Sequence, residues 1–334
     1  MTEQYQEGTH LVREARMRKC GIIGCGNVGA TTAFTLMQTG WFSEMVLLDL
    51  DVRKAEGEAA DLAHGLPFHS PMDIYAGDYA DLCDCGLIII TAGANQRPGE
   101  TRMDLMRTNA AIFESIVGNI ALYNRDAILL VVTNPVDVLS YVTYRVSGFP
   151  ACRVIGSGTV LDTARLKQQM GNHLGVDSRN VHSFILGEHG DSELAVWSSA
   201  NVSGVDLHRY CEDCGRGYDR SVLDGLFQEV RESAYKIIEA KGATYYAIAE
   251  SIKRIVAAIV RDENSILPVS ALVDGHYGLD GVYMSLPCIL GRSGIKQVLE
   301  IPLSEEEECA LDRSAKALKQ AIRELKEESV SSPS

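Results

Sequence analysis

The stretch Cys20-Gly-Ile-Ile-Gly24-Cys-Gly26-Asn-Val-Gly29 is an apolar run that feeds a Gly-x-Gly-x-x-Gly turn and then a helical pattern. Three glycines at this spacing point to a dinucleotide pyrophosphate. The first permits a tight turn, the second lets phosphates approach the backbone, the third lets the helix pack on its strand, and the helix N-terminus attracts the anion. Gly-rich turns are common, so the pattern needs support. It comes from Met45-Val-Leu-Leu-Asp49, which reads as a second buried strand ending in a carboxylate about twenty residues beyond Gly29. Asp49 is suited to accept hydrogen bonds from a ribose and would repel a 2′-phosphate, which favours NAD over NADP.

Working outward, short β-rich runs at 20–25, 45–49, 86–91 and 127–132 alternate with helical segments as far as Pro150. Such alternation predicts α/β structure: an N-terminal Rossmann-type, doubly wound parallel sheet over 19–150, with ligands collecting beyond the strand C-termini. Thr91-Ala-Gly-Ala-Asn-Gln-Arg-Pro-Gly and Thr133-Asn-Pro both follow strands and so fall at that edge. The second half, 151–330, predicts an α+β substrate and catalytic domain. It carries a helix near 159–174, a strand at Val181–Leu186, a long helical pattern from about 222 to 260, strands around 266–290 and a charged helix over about 304–328. Residues 1–18 are polar and aperiodic, either a disordered tail or an arm on a neighbouring subunit.

With 334 residues, 46% of them hydrophobic, the chain has material for a large core in two lobes. A net charge of −14 argues against nucleic acid as the partner, because phosphate backbones need a basic face. No run approaches membrane-spanning length and no signal peptide is apparent, so a cytoplasmic protein is expected. Nine cysteines, among them Cys20, Cys25, Cys152 and Cys288 in apolar runs, read as buried thiols in a reducing compartment. Cys211-x-x-Cys214 has no second pair to complete a zinc site and reads as a loop; Cys83 and Cys85 are similar, and no metal is expected.

Chemistry concentrates in Gly187-Glu-His189-Gly-Asp191, at the end of a strand, and in Leu161-Asp162-Thr-Ala-Arg165, on a helix. Asp162 and Arg165, three residues apart, share a helix face. An ionised Asp162 bonded to the imidazole would fix the His189 tautomer and strengthen its hold on a proton, while Arg165 offers a two-pronged grip for a carboxylate. A helix-surface ion pair beside a structural histidine is the equally weighted plain reading. The loop Asn95-Gln-Arg-Pro-Gly-Glu-Thr-Arg102 has the composition of a lid, whose closure would bring Arg102 to a substrate carbonyl and expel water.

These segments, with Thr133-Asn-Pro-Val-Asp137 and Lys241-Gly-Ala-Thr244, together resemble the lactate and malate dehydrogenase family over about 19–325, and within it the L-lactate dehydrogenases of bacterial type. The resemblance implies reversible, NADH-dependent reduction of pyruvate to L-lactate by hydride transfer. His189 would be proton donor and acceptor, Asp162 its partner, Arg165 the binder of the substrate carboxylate, and Arg102 the lid arginine that polarises the ketone. Asn134 would contact substrate and nicotinamide, and Thr244 would line the substrate pocket. NAD contacts would come from Gly24, Gly26, Asn27, Val28 and Gly29, then from Asp49, Ala92, Gly93 and Asn134. Gln96 stands where malate dehydrogenases place an arginine for a second carboxylate. A neutral glutamine favours pyruvate, since a dicarboxylate would bury an unpaired charge at a cost on the order of a few kcal/mol. The resemblance also implies a homotetramer and activation by fructose 1,6-bisphosphate at a basic pair, here Lys167 and His182. Lysine in place of the family's arginine loses two-pronged phosphate geometry.

Three competing readings are a dehydrogenase for malate or a branched 2-hydroxy acid, an NAD-dependent glycosidase, and a catalytically silent NAD-binding regulator. Gln96 and the Pro98-Gly99 loop count against the first, chain length and the setting of His189 against the second, and the intact set of His189, Asp162, Arg165 and Arg102 against the third.

Overall fold

The continuous apolar runs become the strands of a parallel sheet. In the computed structural model, which describes residues 17–95, 99, 101–215 and 217–329, β1 (Lys19–Ile23), β2 (Glu44–Leu48), β3 (Asp73–Ala76), β4 (Leu87–Ile90), β5 (Ile128–Val131) and β6 (Val154–Gly156) align in the order β6-β5-β4-β1-β2-β3. Every neighbouring pair is parallel. β1, β4 and β5 are buried at each position, as strands covered on both faces must be. The crossover helices are α1 (Asn27–Met37), α2 (Val52–Gly65), α3 (Arg102–Tyr123) and α4 (Val136–Ser147). Thr101 opens α3 with a capping box completed by Asp104, and Gly148, in the left-handed region, closes α4. The strand order reverses between β1 and β4, which opens a crevice at their C-terminal ends.

This sheet belongs to the first of two compact units: 17–157 with Tyr245–Asn264 and Leu290–Lys296. The second unit holds Gly158–Thr244, Ser265–Ile289 and the chain from Gln297 onward. In it α5 (Val160–Leu174) packs on β7 (Val181–Leu186), which turns back as β8 (Leu194–Val202) and continues to β9 (Val205–Asp206). Leu166 and Met170 of α5, Ile185 of β7 and Trp197 of β8 form a shared core with Cys211 of α6 (Leu207–Asp213) and Val230 of α7 (Arg220–Lys241). Strands β10 (Ser265–Asp274) and β11 (Asp280–Gly291) are hydrogen-bonded neighbours, and Gly187 bridges to Ser285 of β11. The mixture of helices and antiparallel strands gives this unit the α+β character expected from the sequence.

The structure departs from sequence expectation in three places. The helical pattern from 222 to 260 is two helices, because Gly242 adopts a left-handed conformation that ends α7. The following α8 (Tyr246–Val260) lies in the first unit, packed on α1. Cys211 and Cys214 do not form a loop: Cys211 is a buried core residue within α6 and Cys214 caps it. Cys152 is exposed, because it sits in the short turn before β6 and the apolar residues that follow it, not the thiol, enter the sheet. Residues 1–16 of the N-terminal extension lie outside the described residues. Among the described residues no helix is long and apolar enough to cross a membrane.

Candidate active site

In the first unit the Gly-rich turn is built by close backbone approach. Gly24 has φ +100°, and a Cβ there would press on the backbone of Ala92; a Cβ at Gly29 would fall on the Gly24 carbonyl oxygen. Thr91 Oγ1 donates to that carbonyl at 2.8 Å, tying β4 to the turn. Gly26 differs, since an added Cβ would meet nothing within 4 Å. It precedes α1, which starts at Asn27 and Val28 with neither a side-chain cap nor an acidic residue in its first turn. The positive end of α1 therefore points into open space, which fits a pyrophosphate.

Asp49 follows β2 and is half-buried. Its Oδ2 accepts from Cys25 N at 2.6 Å and its Oδ1 from Asp51 N at 3.0 Å, so the carboxylate is locked beside the turn with acceptor capacity left for a ribose. The Cys25 thiol between the two glycines is pushed up to about 12, by burial first and by the Asp49 charge second, and is inert.

Ala92 and Gly93 continue the edge after β4. Ala92 O accepts from Thr133 Oγ1 at 2.8 Å, and Gly93 leaves no room for a side chain against Thr133. Sequence reasoning missed the residue that joins these loops, Asn109. It is 1% exposed on α3, its Oδ1 accepts from Ala94 N at 2.7 Å and its Nδ2 donates to Asn134 O at 3.1 Å. A lone amide on the apolar face of a helix was the available signal. Arg102 is the first residue of α3 and is exposed, as is Asn134 after β5. Gln96 lies outside the described residues.

In the second unit the β7–β8 connection carries His189, and the neighbouring α5 presents Asp162 and Arg165. His189 Nδ1 lies 2.6 Å from Asp162 Oδ2, and Arg165 Nη1 lies 3.0 Å from Asp162 Oδ1. Asp162 is 3% exposed. Burial opposes its charge, but His189 and then Arg165 overcome this and hold the carboxyl below the ordinary carboxylate range. The plain helix-surface ion pair is thus excluded, since Asp162 is buried and gripped from two sides.

Two further residues, unforeseen from sequence, shape this loop. Ser314 of α9 (Glu305–Ser329), fully buried, accepts from Glu188 N at 2.8 Å and contacts Ser192 Oγ at 3.0 Å; Ser192 in turn bonds to the Glu188 carboxylate. Glu193 is 8% exposed, and oxygens of Asp162 and Glu193 lie with a His189 ring nitrogen all within 4.8 Å of one another. Asp162 is already engaged by an imidazole and a guanidinium, and the Arg165 charge opposes a cation, so this cluster reads as a proton site. A carboxylate opening the apolar run Leu194-Ala-Val-Trp197 was the signal for Glu193. Thr244 is half-buried just after α7. Lys167 of α5 is half-buried and His182 of β7 exposed, and burial lowers the proton affinity of Lys167.

An open parallel sheet with a Gly-rich turn at its reversal point, followed by a unit carrying a buried carboxylate–imidazole pair, defines a nucleotide-dependent dehydrogenase. Residues 18–156 match the lactate/malate dehydrogenase NAD binding domain, and residues 159–329 match the lactate/malate dehydrogenase alpha/beta C-terminal domain. The chain belongs to the lactate/malate dehydrogenase family. It is 52% identical over 309 residues to an L-lactate dehydrogenase of Acetivibrio thermocellus, covering 92% of this chain and 98% of that one. It is 52% identical over 304 residues to L-lactate dehydrogenase 1 of Clostridium acetobutylicum, covering 91% and 97%. Among solved structures, a lactate dehydrogenase enzyme from a Medee basin deep-sea metagenome library superposes with a TM-score of 0.90 at 46% identity, covering 93% of this chain and 99% of that chain.

Proposed function

We propose that the chain is an NAD-dependent L-lactate dehydrogenase interconverting pyruvate and L-lactate. The observation that carries the reading is the Asp162 carboxylate, which holds the His189 imidazole on one oxygen and the Arg165 guanidinium on the other. When bound, the nicotinamide cofactor would supply the hydride for C2 of pyruvate, or accept it in the reverse direction. Asp162 accepts at Nδ1, which leaves Nε2 of His189 to give its proton to the carbonyl oxygen or take it from the hydroxyl. Arg165 commits one amino group to Asp162 and offers the rest of its fork to the substrate carboxylate. Arg102 stabilises the charge developing on oxygen, a contact whose loss costs about 3 to 4 kcal/mol, mainly in kcat. Asn134 and Thr244 complete the substrate contacts. The Gly24–Gly29 turn, Asp49, Ala92 and Gly93 hold the cofactor, and Gln96 selects a methyl group over a second carboxylate.

NADH oxidation measured with pyruvate, oxaloacetate and 2-oxoisocaproate tests this. Pyruvate should give the highest kcat/KM, and Gln96→Arg should move preference toward oxaloacetate. An unchanged ratio for the two acids would refute the assignment of position 96, and no turnover of any 2-oxo acid would refute the dehydrogenase reading. Supporting proposals are a cytoplasmic homotetramer and a bisphosphate site at Lys167 and His182. Burial disfavours the charge on Lys167, so an arriving phosphate dianion would restore it. Light scattering and pyruvate titrations with and without fructose 1,6-bisphosphate decide both; an unchanged KM removes the activator.

A further inference from the structure

Glu193 lies immediately before the return strand β8, four residues beyond His189, buried against the pair just described. The charged groups facing it are Asp162 and Arg165 from α5, His189 from its own loop, and Arg231 from α7, which also donates to Asp191 O at 2.6 Å. Two carboxylates at this spacing cannot both be ionised without cost in a buried setting. Asp162, held by imidazole and guanidinium, keeps its charge. Burial first, and the Asp162 charge second, push the Glu193 carboxyl up to about 8, against the opposing pull of His189, Arg231 and Arg165.

We propose that Glu193 is a second proton-holding group of the active site, which titrates with His189 as one coupled pair, and that the state productive toward pyruvate carries a proton on both. This rests on the lactate dehydrogenase reading. An ionised Glu193 would set another anion beside Arg165 and oppose the carboxylate of the substrate; a neutral one leaves that guanidinium fully attractive. In each turnover His189 gives its proton to the C2 oxygen and recovers one from solvent, while Glu193 keeps its own. Glu193 is thus a positioning residue, acting through Arg165 and His189.

The test is the pH dependence of kcat/KM for pyruvate at saturating NADH, each profile normalised to its own plateau. In the native enzyme the alkaline limb should steepen toward two protons lost, about a hundredfold fall per pH unit, and in Glu193→Gln it should follow one, about tenfold. Identical single-proton limbs, or a two-proton limb that survives in Glu193→Gln, would overturn the proposal while leaving the dehydrogenase reading intact; absence of pyruvate turnover would instead remove that reading. Should the variant fail to fold, proton uptake by the native enzyme–NADH complex on binding oxamate, an unreactive pyruvate analogue, decides the matter. Calorimetry in two buffers at alkaline pH should register clearly more than one proton per site, and one or fewer overturns it.

Discussion

Replacing Asp162 with asparagine isolates what its charge does for His189. The contact is 2.6 Å between Oδ2 and Nδ1, and Asp162 is 3% exposed, so solvent screens it little. For charge centres about 4 Å apart at an effective dielectric of about 20, attraction between carboxylate and imidazolium is about 4 kcal/mol. Asparagine oxygen still accepts a neutral hydrogen bond worth about 1 kcal/mol, which leaves a deficit of about 3 kcal/mol, or about two pH units of proton affinity. Asp162→Asn should therefore move the alkaline fall of pyruvate kcat/KM down by about two pH units and cost about a hundredfold on that limb. The assay is NADH oxidation across pH, with thermal melting to verify folding. A folded variant whose limb stays in place, with kcat/KM within about threefold of native, would refute the electrostatic account of this pair.

Gly26→Ala should melt like the native protein yet bind NADH at least about tenfold more weakly, since its Cβ meets no protein atom but would occupy the space assigned to phosphate, whereas Gly29→Ala should lose melting temperature itself because its Cβ falls on the Gly24 carbonyl. Equal behaviour of the two alanines would undo the distinction. Asn109→Ala leaves Ala94 N without its partner and should cost about 1 to 3 kcal/mol in chemical denaturation, with a raised KM for NADH. Glu193 should also be visible in stability: with a native value of about 8 against 4.5 unfolded, it is protonated when folded and ionised when unfolded between these limits. Its contribution is complete below 4.5 and lost as pH rises through about 8, so the melting temperature of Glu193→Gln relative to native should climb across that window. A constant difference would contradict the burial argument.

What the sequence alone determined are features whose physics is local. The glycines at 24, 26 and 29 are spaced for one turn, the runs at β4 and β5 are apolar without interruption because both faces are covered, and Asp162 and Arg165 share a face by helical geometry. The substrate preference proposed for Gln96, which lies outside the described residues, rests on family likeness alone, because nothing adjacent to a glutamine states which charge it faces. Tertiary structure decided the rest. Ser314 holds the amide of Glu188 from 126 residues away, Asn109 ties two loops, Gly242 sends two halves of one helical pattern into different units, and Glu193 lies against Asp162 rather than in water. Burial and hydrogen-bond partners depend on what packs from distant segments, so a carboxylate that looks solvated in sequence becomes a proton site once strand and helix close around it.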